Sequence, residues 1–278
     1  MLTAMSRIDT IFNELRGRGG RAIMPFVTAG DPDVETTVEV VKALDRAGAS
    51  VCELGIPFSD PIADGPVIQA SMTRALDGGV KVGRVFDAVR SVRGEVSIGL
   101  VAMCSYSIVF RKGLEAFCHE AAEAGVDGLI LPDLSLEEAG PAREAAEAAG
   151  LALSLLIAPT TPIERAQRIA AASSGFVYIV SRKGITGESA DLPPELPERL
   201  AAIREATDLP LAVGFGIATP EQVRAVVQQA DAAIVGSALV RRIHDAREAG
   251  DDPAAAAERF VAELAGGLEE EGLRAEGY

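Results

Sequence analysis

Apolar runs of β-rich composition recur along the chain, and the more polar stretches between them repeat at helical spacing. The runs are AIMPFVTAG from Ala22, SVCELGIP from Ser50, VSIGLVAMC from Val96, VDGLILP from Val126, LALSLLIAP from Leu151, FVYIVS from Phe176, PLAVGFG from Pro210 and AAIVGSALV from Ala232, eight in all. Between them lie VETTVEVVKALDRAGA, GLEAFCHEAAEAG, LEEAGPAREAAEAAG, PIERAQRIAAAS and TPEQVRAVVQQA, several of which close on a glycine suited to a helix C-terminus. Near-continuous apolar strands separated by amphipathic helices indicate a parallel sheet covered by helices, because a strand buried on both faces has no polar side to show. Eight such units predict closure into a (β/α)8 barrel, an α/β TIM barrel. The competing reading is an open doubly wound sheet, but no GxGxxG follows the first strand, where a dinucleotide site would place it.

No low-complexity linker divides the 278 residues, so residues 1–278 read as one domain. Ahead of the first strand, Ile8, Ile11, Phe12 and Leu15 make a narrow helical stripe, which predicts an N-terminal capping helix lying across a larger body. The longest interruption is RKGITGESADLPPELP, residues 182–197, a loop expected at the C-terminal end of the sixth strand run, the end where barrels carry their function.

Composition narrows the partners. A net charge of −15, from 26 basic and 41 acidic residues, repels phosphate backbones and anionic lipid, so nucleic acid and membrane surfaces are not expected partners. No run of about 20 apolar residues is present to cross a bilayer, and the N-terminus has no signal-like apolar core, so a cytoplasmic protein is expected. Cys52, Cys104 and Cys118 are odd in number and form no CxxC, which points to neither a disulfide framework nor a metal site.

The stretch Glu53 to Pro66, ELGIPFSDPIADGP, carries the candidate chemistry. Strand parity puts Glu53 on the same face as Val51, so if Val51 faces the barrel interior, Glu53 does too. A carboxylate there costs several kcal/mol to desolvate unless paired or protonated, which leaves two readings: a structural partner for an arginine or a backbone N–H, or an acid/base tuned by burial. Pro57, Pro61 and Pro66 stiffen the following loop and so aim Asp60 and Asp64; Asp60 also fits plain turn chemistry, whereas Asp64 can fold back opposite Glu53. Gly187, the Gly214-Phe215-Gly216 turn and Gly236-Ser237 follow late strands, where barrels build phosphate sites from backbone N–H groups. Phe26, Tyr178 and Phe215 fall at strand ends or within strands and would line a pocket for a flat apolar group. His119 and His244 sit on helical segments away from the strand ends and offer no nucleophile arrangement, and Lys183 lies in a polar loop, not in a buried strand where a Schiff-base lysine belongs.

Together PFVTAGDP from Pro25, ELGIPFSDPIADGP from Glu53, LPDLSLEEA from Leu131, YIVSRKGITG from Tyr178, GFGI from Gly214 and VGSALV from Val235 resemble the tryptophan synthase alpha subunit family, in order and over almost the whole chain. The resemblance implies a lyase of tryptophan biosynthesis that splits indole-3-glycerol phosphate into indole and glyceraldehyde 3-phosphate. It implies Glu53 as catalytic acid/base and Asp64 as second catalytic carboxylate. Phe26, Ile68, Ile130, Tyr178 and Phe215 would contact the indole or glycerol portion, Gly187, Gly216, Gly236 and Ser237 the phosphate, and Thr186 would close a lid onto Asp64. It also implies a beta-subunit partner in an alpha2beta2 heterotetramer, with pyridoxal phosphate held by that partner and no cofactor in this chain. Ser107 and Ile108 depart from the Asn and Pro expected in a turn that touches the beta subunit, whereas Pro57 and Asp60 match other docking positions. A free-standing indole-3-glycerol-phosphate lyase and a non-catalytic barrel that binds phosphometabolites are the alternatives, and the presence of both Glu53 and Asp64 speaks against the second.

Overall fold

The structure is a computed structural model that describes residues 5–61, 64–181, 192–214 and 216–268. Among them nine strands, β1 (Ala22–Thr28), β2 (Val51–Gly55), β3 (Gly99–Met103), β4 (Gly128–Ile130), β5 (Ala152–Ser154), β6 (Leu156–Ile157), β7 (Val177–Val180), β8 (Leu211–Gly214) and β9 (Ala232–Val235), form one parallel sheet in the order β5-β4-β3-β2-β1-β9-β8-β7-β6. Its two ends, β5 and β6, are consecutive in sequence, so the sheet curls back on itself as a nearly closed TIM barrel with helices around it.

The run from Leu151, expected as one strand, is two. Its first half pairs with β4 and its second with β7. The seam has a local cause: the backbone N–H groups of Leu153 and Leu155 donate to the hydroxyls of Ser174 and Ser173, at 2.8 and 3.2 Å, so side chains from the approach to β7 take donors that a continuous ladder would use.

β1, β2, β3 and β9 are buried along their whole length, as their composition predicts, while β7 alternates buried and half-buried residues. Alternate residues divide between two cores. Ile23, Val27, Cys52, Leu54, Leu100, Leu129 and Val213 face the helices, while Met24, Phe26, Val51, Val101, Ile130, Ala212 and Ile234 fill the barrel. The N-terminal helix Arg7–Gly17 adds Ile8, Phe12 and Leu15 to the interior set, with Ile11 packed beside them. A side chain at Gly99, the first residue of β3, would strike Ile8 at 2.5 Å, which places this helix under the N-terminal end of the barrel as a plug. Asp127 clasps it there, bonding to Arg7 and Arg93 and accepting the Leu100 N–H.

The expected long loop of residues 182–197 ends earlier than its composition indicates, because the helix Leu196–Arg204 has begun by Pro197, a residue suited to a first helical turn. No helix among the described residues is long and apolar enough to cross a membrane. The three cysteines are free and buried, and burial pushes their thiols up, to about 11 at Cys118.

Candidate active site

Glu53 points into the barrel. It stands in register between Phe26 on β1 and Val101 on β3, both interior residues, and has no solvent exposure. Neither carboxylate oxygen has a hydrogen-bond partner among the described residues. The structural reading of Glu53, in which an arginine or a backbone N–H pairs with it, therefore finds no partner among them. Burial drives its pKa well above the usual carboxylate range, which favours a protonated acid able to give up a proton.

The prolines that follow explain how a second carboxylate comes to the same place. Pro57 and Pro61 lie where the strand stops, and Pro66 opens the helix Pro66–Asp77 at a position where a missing N–H costs nothing. Between them the Asp64 N–H donates to the Pro61 carbonyl at 3.0 Å, and the Gln69 side-chain amide donates to the Asp64 carbonyl at 2.8 Å, so the turn is folded onto the first turn of the helix. Asp64 is half-buried, and that burial lifts its carboxyl to about 6.

Tyr178 on β7 feels both acids. Its phenol is pushed well up by burial first and then by the charges of Glu53 and Asp64, so both carboxylates lie within electrostatic reach of one hydroxyl. Around them the apolar candidates converge: Phe26, Ile130 and Ile68 belong to the interior core, with Ile68 brought in by the helix Pro66–Asp77.

On the far side of the mouth, β8 and β9 end side by side, with Gly214 paired to Ile234. Gly216 adopts a left-handed conformation (φ 77°) that a side chain would strain, and Gly236 is the N-cap of the helix Ser237–Ala249, its carbonyl accepting from the Leu239 N–H at 3.0 Å. Thr186, Gly187, Phe215 and Lys183 lie outside the described residues. His119, on the helix Leu114–Ala124, is exposed beside Glu123 and far from this chemistry in kind.

A cavity of about 210 Å³ opens next to Asp64, over β2, β3 and β4, with Phe58, Asp60, Met103, Ser107 and Pro132 in its walls. Glu53 is not among its lining residues, so it adjoins the acid pair on its outer side. Ser107, expected in a turn, belongs to the short helix Tyr106–Lys112, because Ser105 caps the helix and Asp133 accepts from both the Ser105 hydroxyl (2.6 Å) and the Tyr106 N–H (2.7 Å). On that helix Phe110 is 70% exposed, an unusual state for an aromatic residue, and its ring adjoins Tyr106. Sequence reasoning missed Phe110; the aromatic pair at i, i+4 was the available signal.

With this geometry in view, the comparisons with known proteins agree among themselves. The family model described as tryptophan synthase alpha chain matches residues 12–269. The tryptophan synthase alpha chain of Prochlorococcus marinus is 48% identical over 260 residues, 93% of this chain and 91% of that one, and that of Rippkaea orientalis 47% identical over 240 residues, 86% and 90%. Among solved structures, the tryptophan synthase alpha chain of Legionella pneumophila superposes with a TM-score of 0.87 at 37% identity, covering 97% of this chain and 99% of its own. A tryptophan synthase structure from Mycobacterium tuberculosis gives a TM-score of 0.87 at 33% identity, with 95% and 99% covered.

Proposed function

The chain belongs to the tryptophan synthase alpha chain family and is thus a carbon–carbon lyase that splits indole-3-glycerol phosphate into indole and glyceraldehyde 3-phosphate, and we propose that Glu53 and Asp64 are the two carboxylates that carry out the cleavage. The observation that supports this assignment is the fully buried Glu53, with neither oxygen partnered among the described residues, on the strand that leads through the Pro57–Pro61 turn to half-buried Asp64.

The reaction needs two carboxylates in different states. Protonation of indole C3 makes the ring nitrogen an electron sink; the side chain's 3′ hydroxyl then loses its proton, the bond between C3 and the side chain breaks, and the released carbon becomes the aldehyde of glyceraldehyde 3-phosphate. Glu53, kept protonated by burial, gives the proton to C3 and, as a carboxylate, takes up the hydroxyl proton, so no net proton is consumed. Asp64, less buried and ionised above about pH 6, accepts the ring N–H and stabilises the positive charge that grows there. In the same proposal Phe26, Ile68, Ile130 and Tyr178 bound the indole and glycerol portions, and Gly216, Gly236 and Ser237 hold the phosphate at a helix N-terminus; Phe215, Gly187 and Thr186, outside the described residues, are assigned an indole, a phosphate and a lid role by family resemblance alone.

One sheet draws strands from residue 22 to residue 235, which supports reading the chain as a single domain. A beta-chain partner is part of the same proposal. Exposed Phe110 shares the helix Tyr106–Lys112 with Ser107, which together with Asp60 lines the cavity next to Asp64, and this partly apolar surface is where a partner could receive indole. Pyridoxal phosphate would belong to that partner, and the assembly would work in the cytoplasm. The test is the rate of glyceraldehyde 3-phosphate release by the purified chain, alone and with a cognate beta chain. Slow cleavage that rises strongly with the partner is expected; fast cleavage indifferent to the partner would point to the free-standing lyase instead.

A further inference from the structure

The segment Thr28–Asp31, which closes β1, is bonded at once to the strand that carries Glu53 and to the helix that follows Asp64. On one side the Ala29 N–H donates to the Gly55 carbonyl at 2.9 Å, two residues beyond Glu53. On the other side it reaches the helix Pro66–Asp77 at two points. The Ser71 hydroxyl donates to the Ile68 carbonyl at 2.7 Å and so spends its proton, which makes Thr28 the donor in the 2.6 Å bond between the Thr28 and Ser71 hydroxyls. Three residues on, and therefore on the same helix face, the Arg74 guanidinium grips both oxygens of Asp31, at 2.9 and 2.7 Å.

Asp31 is buried to 4% of its side-chain surface while Arg74 keeps 35% of its own, so the pair sits at the edge of the interior. A pair of this kind adds little net stability over apolar packing, since desolvation offsets most of the attraction; what it does enforce is one geometry. Asp64 needs that geometry. It lies two residues before the helix starts and is locked to the first turn by Gln69, so any shift of the helix moves it.

We infer that Asp31 and Arg74, backed by Thr28 and Ser71, are positioning residues that set the separation of Asp64 from Glu53. This rests on the proposed role of Asp64. Neither Asp31 nor Arg74 lines the cavity beside Asp64. Their effect is therefore on turnover, because a misplaced carboxylate loses its hold on the developing charge while the phosphate end still binds.

The experiment is steady-state cleavage of indole-3-glycerol phosphate by Asp31→Asn, Arg74→Gln, the double variant, Arg74→Lys, Thr28→Val and Asp64→Asn, each with a thermal melt. Expected is a fall in kcat of about tenfold for Asp31→Asn and for Arg74→Gln, no further loss in the double variant, KM within about threefold, and partial recovery in Arg74→Lys. Thr28→Val keeps the side-chain shape and loses about threefold or more in kcat, and it decides the question if the charge variants do not fold. Turnover within twofold of the parent in the single variants, or a loss seen only in KM or only in the melting midpoint, overturns the inference. Full activity in Asp64→Asn would overturn the role of Asp64 and the tether with it; an inactive Asp64→Asn beside fully active tether variants would overturn the tether alone.

Discussion

The ring of Phe26 crosses from β1 onto β2 and fills the space beside Gly55, two residues beyond Glu53, with which Phe26 is paired in register. A side-chain carbon at Gly55 would meet that ring at 2.4 and 2.7 Å, so glycine is what lets the ring lie there. Because Glu53 and Gly55 point the same way, the ring stands between the acid and the C-terminal end of the strands. Burial of Glu53 is thus in part the work of one aromatic side chain, and its protonation state follows.

Phe26→Ala should admit water to Glu53 and let its pKa fall toward the ordinary range. The alkaline limb of kcat/KM should move to lower pH, with a stability loss of about 3–5 kcal/mol for the vacated ring. A pH–rate profile with an unmoved alkaline limb would show that the ring does not control the acid.

Glu53→Gln should reduce kcat by about 10²–10⁴-fold, as loss of a general acid/base does, while substrate binding persists. It should also stabilise the fold. Glu53 is protonated when folded but ionises near pH 4.3 when unfolded, so its contribution to stability is full below that pH and is lost as pH rises toward its folded value. Glutamine carries no such penalty, and urea unfolding at pH 7 should show a gain in stability that vanishes near pH 4.

Asp64 acts as an anion, and its carboxyl titrates at about 6. Turnover per site should therefore fall about tenfold per pH unit below that value. Asp64→Asn should be slower by about 10²-fold at pH 8 and should lack this acid limb. An unchanged limb in that variant would assign it to another group.

Ser237→Asp separates stability from phosphate binding. A negative charge in the first turn of the helix Ser237–Ala249 favours the helix dipole, so the melting midpoint should hold or rise slightly. The same charge repels a phosphate at that terminus, and KM should rise by about 10- to 100-fold with a smaller change in kcat. Unaltered KM would remove this helix from the phosphate site.

Phe110→Asp should leave the isolated chain's turnover within about twofold and abolish most of the stimulation by a beta chain, weakening the complex by about tenfold or more. Titration of the partner against glyceraldehyde 3-phosphate release reads both effects at once. Full stimulation would move the docking surface elsewhere.

Much of this was legible in the amino-acid order because it depends on local periodicity. Alternation along Val51, Cys52, Glu53 and Leu54 determined that the carboxylate shares a face with Val51, and the stripe of Ile8, Ile11, Phe12 and Leu15 determined a helix with one face to bury. Prolines at 57, 61 and 66 determined where the strand must stop. Tertiary structure decided what no local pattern encodes. Whether Glu53 has a partner, how Asp64 and Glu53 come to influence the same phenol on β7, and why the run from Leu151 parts at Leu155 all depend on how the curled sheet brings distant segments together. The tether from Asp31 to Arg74 spans 43 residues, and neither residue type in its own neighbourhood distinguishes a buried clasp from a solvated charge. Periodicity selects the face a side chain shows; only closure of the barrel selects what stands opposite it.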